Sequence, residues 1–335
     1  MGGMLDSNFL HKDFAVVTCF FNFSKNKFRE RAYAKFAGNL SRQGVELFSV
    51  ELIYDKEPAF LPPSNHVLHL HSSSVLWSKE NLLNILISKL PKRIKKIAWI
   101  DADVIIEDDG WATRCSEILD SAPIVQIGSI MEKSDRSGKI EEARIGIAMG
   151  YERNHKHFLD DTGGSMFGKI NTYHPGFAWA ATREFLSEIK LFEYDLVGGA
   201  DTFMFFACIS IDAQSIIPHF PQRYDSHHHS YLSASQRYIN KAYGFVKGNV
   251  KHVPAIVVHI WHGWRKNKGL ATRHEVTRLI DFNKDLKRNH EGLLMWEDME
   301  KGEPFKEFIL KQNEITEPKK PMYYDPSEWI SPYHL

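Results

Sequence analysis

Within its first hundred residues the chain twice sets a short apolar, β-branched run against a segment of helical spacing, and that alternation restricts the fold more than any other feature. Phe14–Phe21 reads as a buried strand, and the polar 22–26 stretch after it reads as a loop. Apolar residues then recur at Phe28, Ala32, Phe36 and Leu40, which predicts a helix over 27–43 stopping at Gly44, a natural C-cap. Residues 45–53 and 67–71 read as further strands. A helix over 78–90 follows, with Leu82, Leu83, Leu86 and Leu90 on one side, then a strand over 94–100 that ends abruptly in Asp101-Ala102-Asp103. Apolar strands separated by helices predict an α/β fold with a mixed, mainly parallel sheet flanked by helices. In open sheets of this kind ligands bind beyond the carboxyl ends of the strands, which puts 18–22, 52–55 and 101–103 on one rim.

Farther on the pattern is less regular. Residues 131–165 turn polar and glycine-bearing and read as a mobile insertion. Order resumes over 173–181, with helices expected at 183–189 and 202–210, a late strand at 253–261 and a helix at 272–286. The chain then divides into a first half, 14–130, the insertion, a second half, 166–290, and a C-terminal extension, 291–335, read as a wrap over the surface.

Composition removes several classes of function. Forty-two Lys and Arg balance forty-two Asp and Glu, so no whole-chain field draws nucleic acid or an anionic membrane. Three cysteines, Cys19, Cys115 and Cys208, cannot all pair and lack metal-type spacing, which fits a reducing compartment. No signal-peptide pattern opens the chain and no apolar run reaches spanning length, so a cytoplasmic location is expected. The chain is rich in aromatics and histidine, with 22 Phe, 12 Tyr, 8 Trp and 17 His. Sugars stack on aromatics and metals bind imidazoles, although most such residues are core.

Against that background a few residues carry chemistry. Two carboxylates directly after a buried strand suit a hard divalent cation, Mn²⁺ or Mg²⁺, that shares oxygens with a diphosphate; the plain alternative is that Asp101 or Asp103 caps the turn. His259 and His262 stand three residues apart at a strand end, and with Asp103 they compose a candidate Mn²⁺ site. Asp201 follows Gly198 and Gly199 and is either a helix cap or a general base toward a hydroxyl. Ser78 reads as an N-cap, with Lys79 and Asn81 projecting onto the rim. Arg265, Lys266 and Lys268 form either a solvated basic turn or a site that neutralises a diphosphate. Gly176 and Trp179 offer a sugar a supple backbone beside a large ring, or are simply core. The histidines at 69, 71, 155, 157 and 227–229 read as solvated or strand residues.

Taken in order, these segments resemble the GT-A fold glycosyltransferases, whose core is Rossmann-like. The later part is most similar to the metal-dependent galactosyl- and N-acetylgalactosaminyltransferases. The resemblance spans about residues 14–290 and rests on four short motifs. It implies a nucleotide-sugar donor, UDP-linked by analogy, at Thr18, Phe20, Asn22, Asp55, Lys79, Asn81, Asp101, Ala102, Asp103 and Lys266. It implies a metal set of Asp103, His259 and His262, adjoined by Asp101 near the ribose, and sugar or acceptor contacts at Gly176, Trp179, Gly199, Asp201 and Trp261. Asp201 matches the last acid of the family's Gly-Gly-Glu-Asp, with Ala200 in place of the Glu; His259 replaces the family's metal-binding Met. The implied activity is Mn²⁺-dependent, inverting transfer of a hexosyl group to a hydroxyl of a glycan or other acceptor. The 14–130 half would bind donor and the 166–290 half acceptor. Without the family's usual membrane anchor, the chain looks like a soluble bacterial or viral relative. Two alternatives compete: a haloacid dehalogenase-like phosphatase, whose first motif has the spacing of Asp101 and Asp103, and a non-catalytic nucleotide-sugar or glycan-binding module.

Overall fold

Phe14–Phe21 is a central strand because its side chains are buried on both faces: Phe14 and Val16 enter one core, Ala15 and Val17 the other. A computed structural model describes residues 12–154, 158, 173–212, 228–263, 277–278 and 280–312. In chain order the strands are β1 (Phe14–Phe21), β2 (Leu47–Tyr54), β3 (Val67–Ser72), β4 (Lys96–Ile100), β5 (Val104–Ile106), β6 (Ile124–Ile127) and β7 (Ile130–Ser134). They continue as β8 (Ile140–Gly146), β9 (Tyr173–His174), β10 (Ala178–Thr182), β11 (Val250–Val253), β12 (Ile256–His259), β13 (Leu286–Arg288) and β14 (Leu294–Trp296). The helices are α1 (Lys27–Arg42), α2 (Lys79–Lys89), α3 (Trp111–Ile118), α4 (Ile147–Arg153), α5 (Arg183–Glu188), α6 (Ala200–Ile209), α7 (His229–Val246) and α8 (Met299–Gln312).

The main sheet has seven strands in the order β11-β6-β10-β4-β1-β2-β3. Four of its six pairings are parallel and β10 alone runs against both neighbours, which makes the sheet mixed and mainly parallel, as expected. Helices cover both faces. One layer holds Phe36 and Leu40 of α1 with Trp111 and Cys115 of α3; the other holds the leucines of α2 with the aromatics of α6 and α7. Each fully buried Phe or Leu contributes about 1.5–3 kcal/mol. Helix α1 starts where expected because the Asn26 side chain accepts the Phe28 N–H, and it ends before Gly44 at φ +66°.

A second sheet, β5-β12-β7-β8-β9, lies at the end of the first. It corrects two expectations. Part of the 131–165 stretch read as a loop is the β7–β8 hairpin and α4; its strands are only half-buried, so their sequence lacks a continuous apolar face. The late strand expected at 253–261 is two strands, β11 in the first sheet and β12 in the second. Pro254 separates them and has no N–H to continue a ladder.

The helix expected over 272–286 is also corrected. Residues 282–285 are turns, because the Asp281 side chain accepts the Asn283 N–H while its carbonyl takes those of Lys284 and Asp285, and 286–288 is β13. All of 264–276, all of 313–335 and the histidines at 155, 157 and 227 lie outside the described residues, and with them Arg265, Lys266 and Lys268. Among the described residues, no helix is long and apolar enough to cross a membrane.

Candidate active site

Strand β5 follows the Asp101–Asp103 turn at once and pairs antiparallel with β12, setting His259 opposite Val104. The Ile260 N–H donates to the Asp103 carbonyl at 2.7 Å, so segments far apart in sequence meet through a backbone ladder. Beyond it, the His262 carbonyl accepts from Asn26 Nδ2 at 2.8 Å, which ties this loop to the start of α1. Both imidazoles thereby face one carboxylate. His262 Nε2 lies 3.1 Å and His259 Nε2 3.7 Å from Asp103 Oδ2, and the three donor groups lie within 4.8 Å of one another.

Asp103 Oδ1 is buried and has no hydrogen-bond partner among the described residues. Such an orphan costs about 1–3 kcal/mol or more for a charged group, a cost a bound cation would remove. One carboxylate with two neutral imidazoles is a mixed hard and borderline donor set that suits Mn²⁺ better than Mg²⁺. Burial alone would raise the Asp103 carboxyl, but the adjacent His259 and His262 rings hold it well below the usual carboxylate range.

The second corner is built around Lys79, in the first turn of α2. Its ammonium lies 2.7 Å from Asp101 Oδ1 and 3.3 Å from Asp201 Oδ2. Burial works against the lysine's charge, yet Asp101 and Asp201 keep its proton affinity well above the ordinary value. Asp101 is pushed up to about 6, by burial first and by the charges of Asp103 and Asp201, against the pull of Lys79. Asp201 is not the helix cap: Gly199, at φ +116°, holds that position, and Asp201 stands in the first turn of α6. A Cβ on Gly176 would lie 3.4 Å from Asp201 Oδ2, so the glycine leaves that carboxylate's approach open.

Between these corners lies a cleft of about 430 Å³. Of the residues singled out in the sequence, Phe20, Lys79, Asp101, Ala102, Asp103, His259, Trp261 and His262 line it. Others are not part of its lining, Gly176, Gly199 and Asp201 among them, Asp201 standing beside the lining Lys79. Thr18 is buried and its hydroxyl donates to the Ile100 carbonyl, while the Asn22 side chain closes a turn with the Asn26 backbone. The Asn81 amide is spent on the Gly292 carbonyl and the Leu294 N–H, docking the β13–β14 hairpin. Trp179 is fully buried and donates to the Pro175 carbonyl, so it is core and offers no face to a sugar. Asp55 borders a separate open groove with His71 and Asn289. Ser78 precedes α2 but makes no capping bond; its hydroxyl donates to the Leu76 carbonyl.

The lining also includes residues with no distinctive mark in the sequence: Arg29, Trp77, Lys133 and Phe177. Phe177 has φ +78°, a left-handed conformation costing about 1–3 kcal/mol for a bulky residue. At the mouth Trp261 meets Phe28 edge-on, ring centroids 4.8 Å apart, with the Arg136 guanidinium over both rings.

No protein-family model matches the sequence, and no curated protein matches it. Solved structures do. The catalytic domain of Drosophila β1,4-galactosyltransferase 7, in complex with xylobiose, is 14% identical over 60% of this chain, with a TM-score of 0.33. This chain covers 61% of that domain, less than two thirds of it. Mannosyl-3-phosphoglycerate synthase from Rubrobacter xylanophilus is 11% identical over 85% of this chain and 87% of its own, with a TM-score of 0.42. Glucosyl-3-phosphoglycerate synthase from Mycobacterium tuberculosis, in complex with Mn²⁺, UDP-glucose and phosphoglyceric acid, is 9% identical over 85% and 86%, with a TM-score of 0.36. All of these likenesses are at low identity and low score, and the fold class stands on the sheet order described above.

Proposed function

We propose that the chain transfers a hexosyl group from a nucleoside-diphosphate sugar, UDP-linked, to a hydroxyl of a glycan or other acceptor, with Mn²⁺ (or Mg²⁺) as cofactor. The observation that carries this reading is the meeting of His259 and His262 at Asp103 Oδ2, with Asp103 Oδ1 buried and lacking a hydrogen-bond partner among the described residues, at the rim where β1 and β4 end. A cation bound there supplies charge stabilisation to the departing nucleoside diphosphate. The chain's own groups do the rest. Asp103, His259 and His262 would hold the ion, and Arg29 lines the cleft where its charge would meet the diphosphate.

Asp201 takes the proton from the acceptor hydroxyl as its oxygen attacks the anomeric carbon, with inversion. The ammonium of Lys79 orients Asp201, and it holds Asp101 on the donor side. Trp261, at the mouth, gives the acceptor a flat apolar face, and Phe20 and Trp77 wall the donor end against water. Residues 14–130 then supply most donor contacts, and 166–290 supply the acceptor contacts and complete the metal site.

The test is thermal stabilisation by a panel of nucleotide sugars with and without Mn²⁺, followed by product analysis. The expected result is a shift that needs nucleotide and Mn²⁺ together, and release of nucleoside diphosphate on addition of a hydroxyl acceptor. Release of inorganic phosphate from a phosphomonoester would instead identify a phosphatase, and binding without turnover of any nucleotide sugar would identify a binding module. Either outcome replaces the transferase reading.

A further inference from the structure

We propose that Phe177 is a positioning residue that fixes the imidazole plane of His259, and so sets the affinity of the Asp103 site for its cation. The inference rests on the metal reading of that site. Phe177 occupies a left-handed backbone conformation that a bulky residue adopts only when its surroundings impose it. Two contacts do so. Its carbonyl accepts the Asp101 N–H at 2.8 Å, which anchors the first residue of the Asp101–Asp103 turn. Its ring lies between two imidazoles, 4.0 Å from His174 at an interplanar angle of 28° and 5.2 Å from His259 at 25°.

The outer plate of this column is itself fixed. His174 Nδ1 accepts the Gly176 N–H at 3.1 Å, and the His174 carbonyl accepts from Gln126 Nε2 at 2.8 Å. Gln126 is fully buried in β6, so the backbone that carries the His174 ring is tied to the core of the main sheet. The His259 backbone is already held by the β5–β12 ladder and by Ser134 Oγ, which donates to its carbonyl at 3.2 Å. What the backbone does not set is rotation about χ2, which is broad for histidine. The flat face of Phe177 limits that rotation and keeps Nε2 aimed at Asp103, the part that outer partners play around metal-ligating histidines.

The experiment is Mn²⁺ titration of the full chain, followed by electron paramagnetic resonance, with no turnover involved. Phe177→Leu, which keeps an apolar side chain but no flat face, should weaken Mn²⁺ binding about tenfold, while Phe177→Tyr should stay within about twofold of the parent. His259→Ala should weaken binding at least as much, and Phe177→Leu should add nothing further in that background, because the two changes act through one ring. Should Phe177→Leu not fold, His174→Leu removes the outer plate and carries the same expectation. Unchanged affinity in Phe177→Leu beside weakened affinity in His259→Ala overturns the positioning role alone. So does a Phe177→Leu loss that persists in full without His259. No Mn²⁺ binding by the parent chain, or none lost in His259→Ala, overturns the metal reading and this inference with it.

Discussion

Asp101 and Asp103 leave the same strand two residues apart, yet they serve opposite corners of one cleft. Asp103 meets two imidazoles and keeps a buried oxygen without a hydrogen-bond partner among the described residues, whereas Asp101 is paired with an ammonium that it shares with Asp201. Burial acts on both, but the neighbours decide the outcome: Asp101 rises to about 6, while Asp103 stays well below the usual range. One corner is thus a carboxylate faced by two imidazoles, and the other already contains a lysine ammonium between its carboxylates. The contrast is what supports the proposal of metal binding at the first and proton handling at the second.

The assignment can be broken most severely at Asp103. Asp103→Ala should abolish Mn²⁺-dependent thermal stabilisation by nucleoside diphosphate and cut transfer by roughly 10³-fold, the scale of losing several kcal/mol of charge stabilisation. Unchanged Mn²⁺ dependence of the melting curve would remove this residue from the metal corner. Asp201→Asn should leave donor and Mn²⁺ binding intact while turnover falls by about 10²-fold or more, as expected for loss of a general base. Steady-state kinetics beside a binding titration separates the two effects, and near-normal turnover would return Asp201 to a purely structural place at the head of α6.

Lys79→Met sharpens the comparison through stability. It leaves Asp101 and Asp201 facing each other without their shared cation and should cost about 2 kcal/mol in urea unfolding. A pair of carboxylates unaffected by its loss would mean that solvent, rather than the lysine, satisfies them. The smallest effect concerns Glu80, buried behind the same lysine and raised by burial to about 8 from an ordinary 4.5. In that window the folded chain binds the proton that the unfolded chain has released. Its contribution is therefore fully present below pH 4.5 and is lost as pH rises through 8. Glu80→Gln should flatten the decline of melting temperature between those limits in metal-free protein; an unchanged slope would assign the decline to other groups.

Several parts of this site were legible in the chain because their signals are local. A buried strand that stops in two aspartates marks a rim of the parallel sheet, and His-Ile-Trp-His marks another strand end, though that strand belongs to the second sheet. The same logic over-reached at Thr18, Asn22 and Asn81, whose polar side chains were assigned to a ligand and instead satisfy neighbouring backbone. Trp179 was misplaced for a related reason. Strand alternation says that it faces away from its neighbours, but only the packing of α6 says that this side is sealed. The β7–β8 hairpin was missed because its strands are half-buried and carry charges on the cleft side, where alternation of apolar residues fades.

Periodicity and strand termini, properties of residues within a few positions of each other, therefore determined the fold class, the order of the main elements and the candidates at the rim. The meeting of Asp103 with His259 and His262, the sharing of Lys79 by two aspartates, and the stack of Phe177 between two histidines were decided by the tertiary structure alone. Each depends on a pairing between segments far apart in the chain, such as β5 with β12, and no local spacing specifies which distant backbone will complete a ladder or which face will be left open to a ligand.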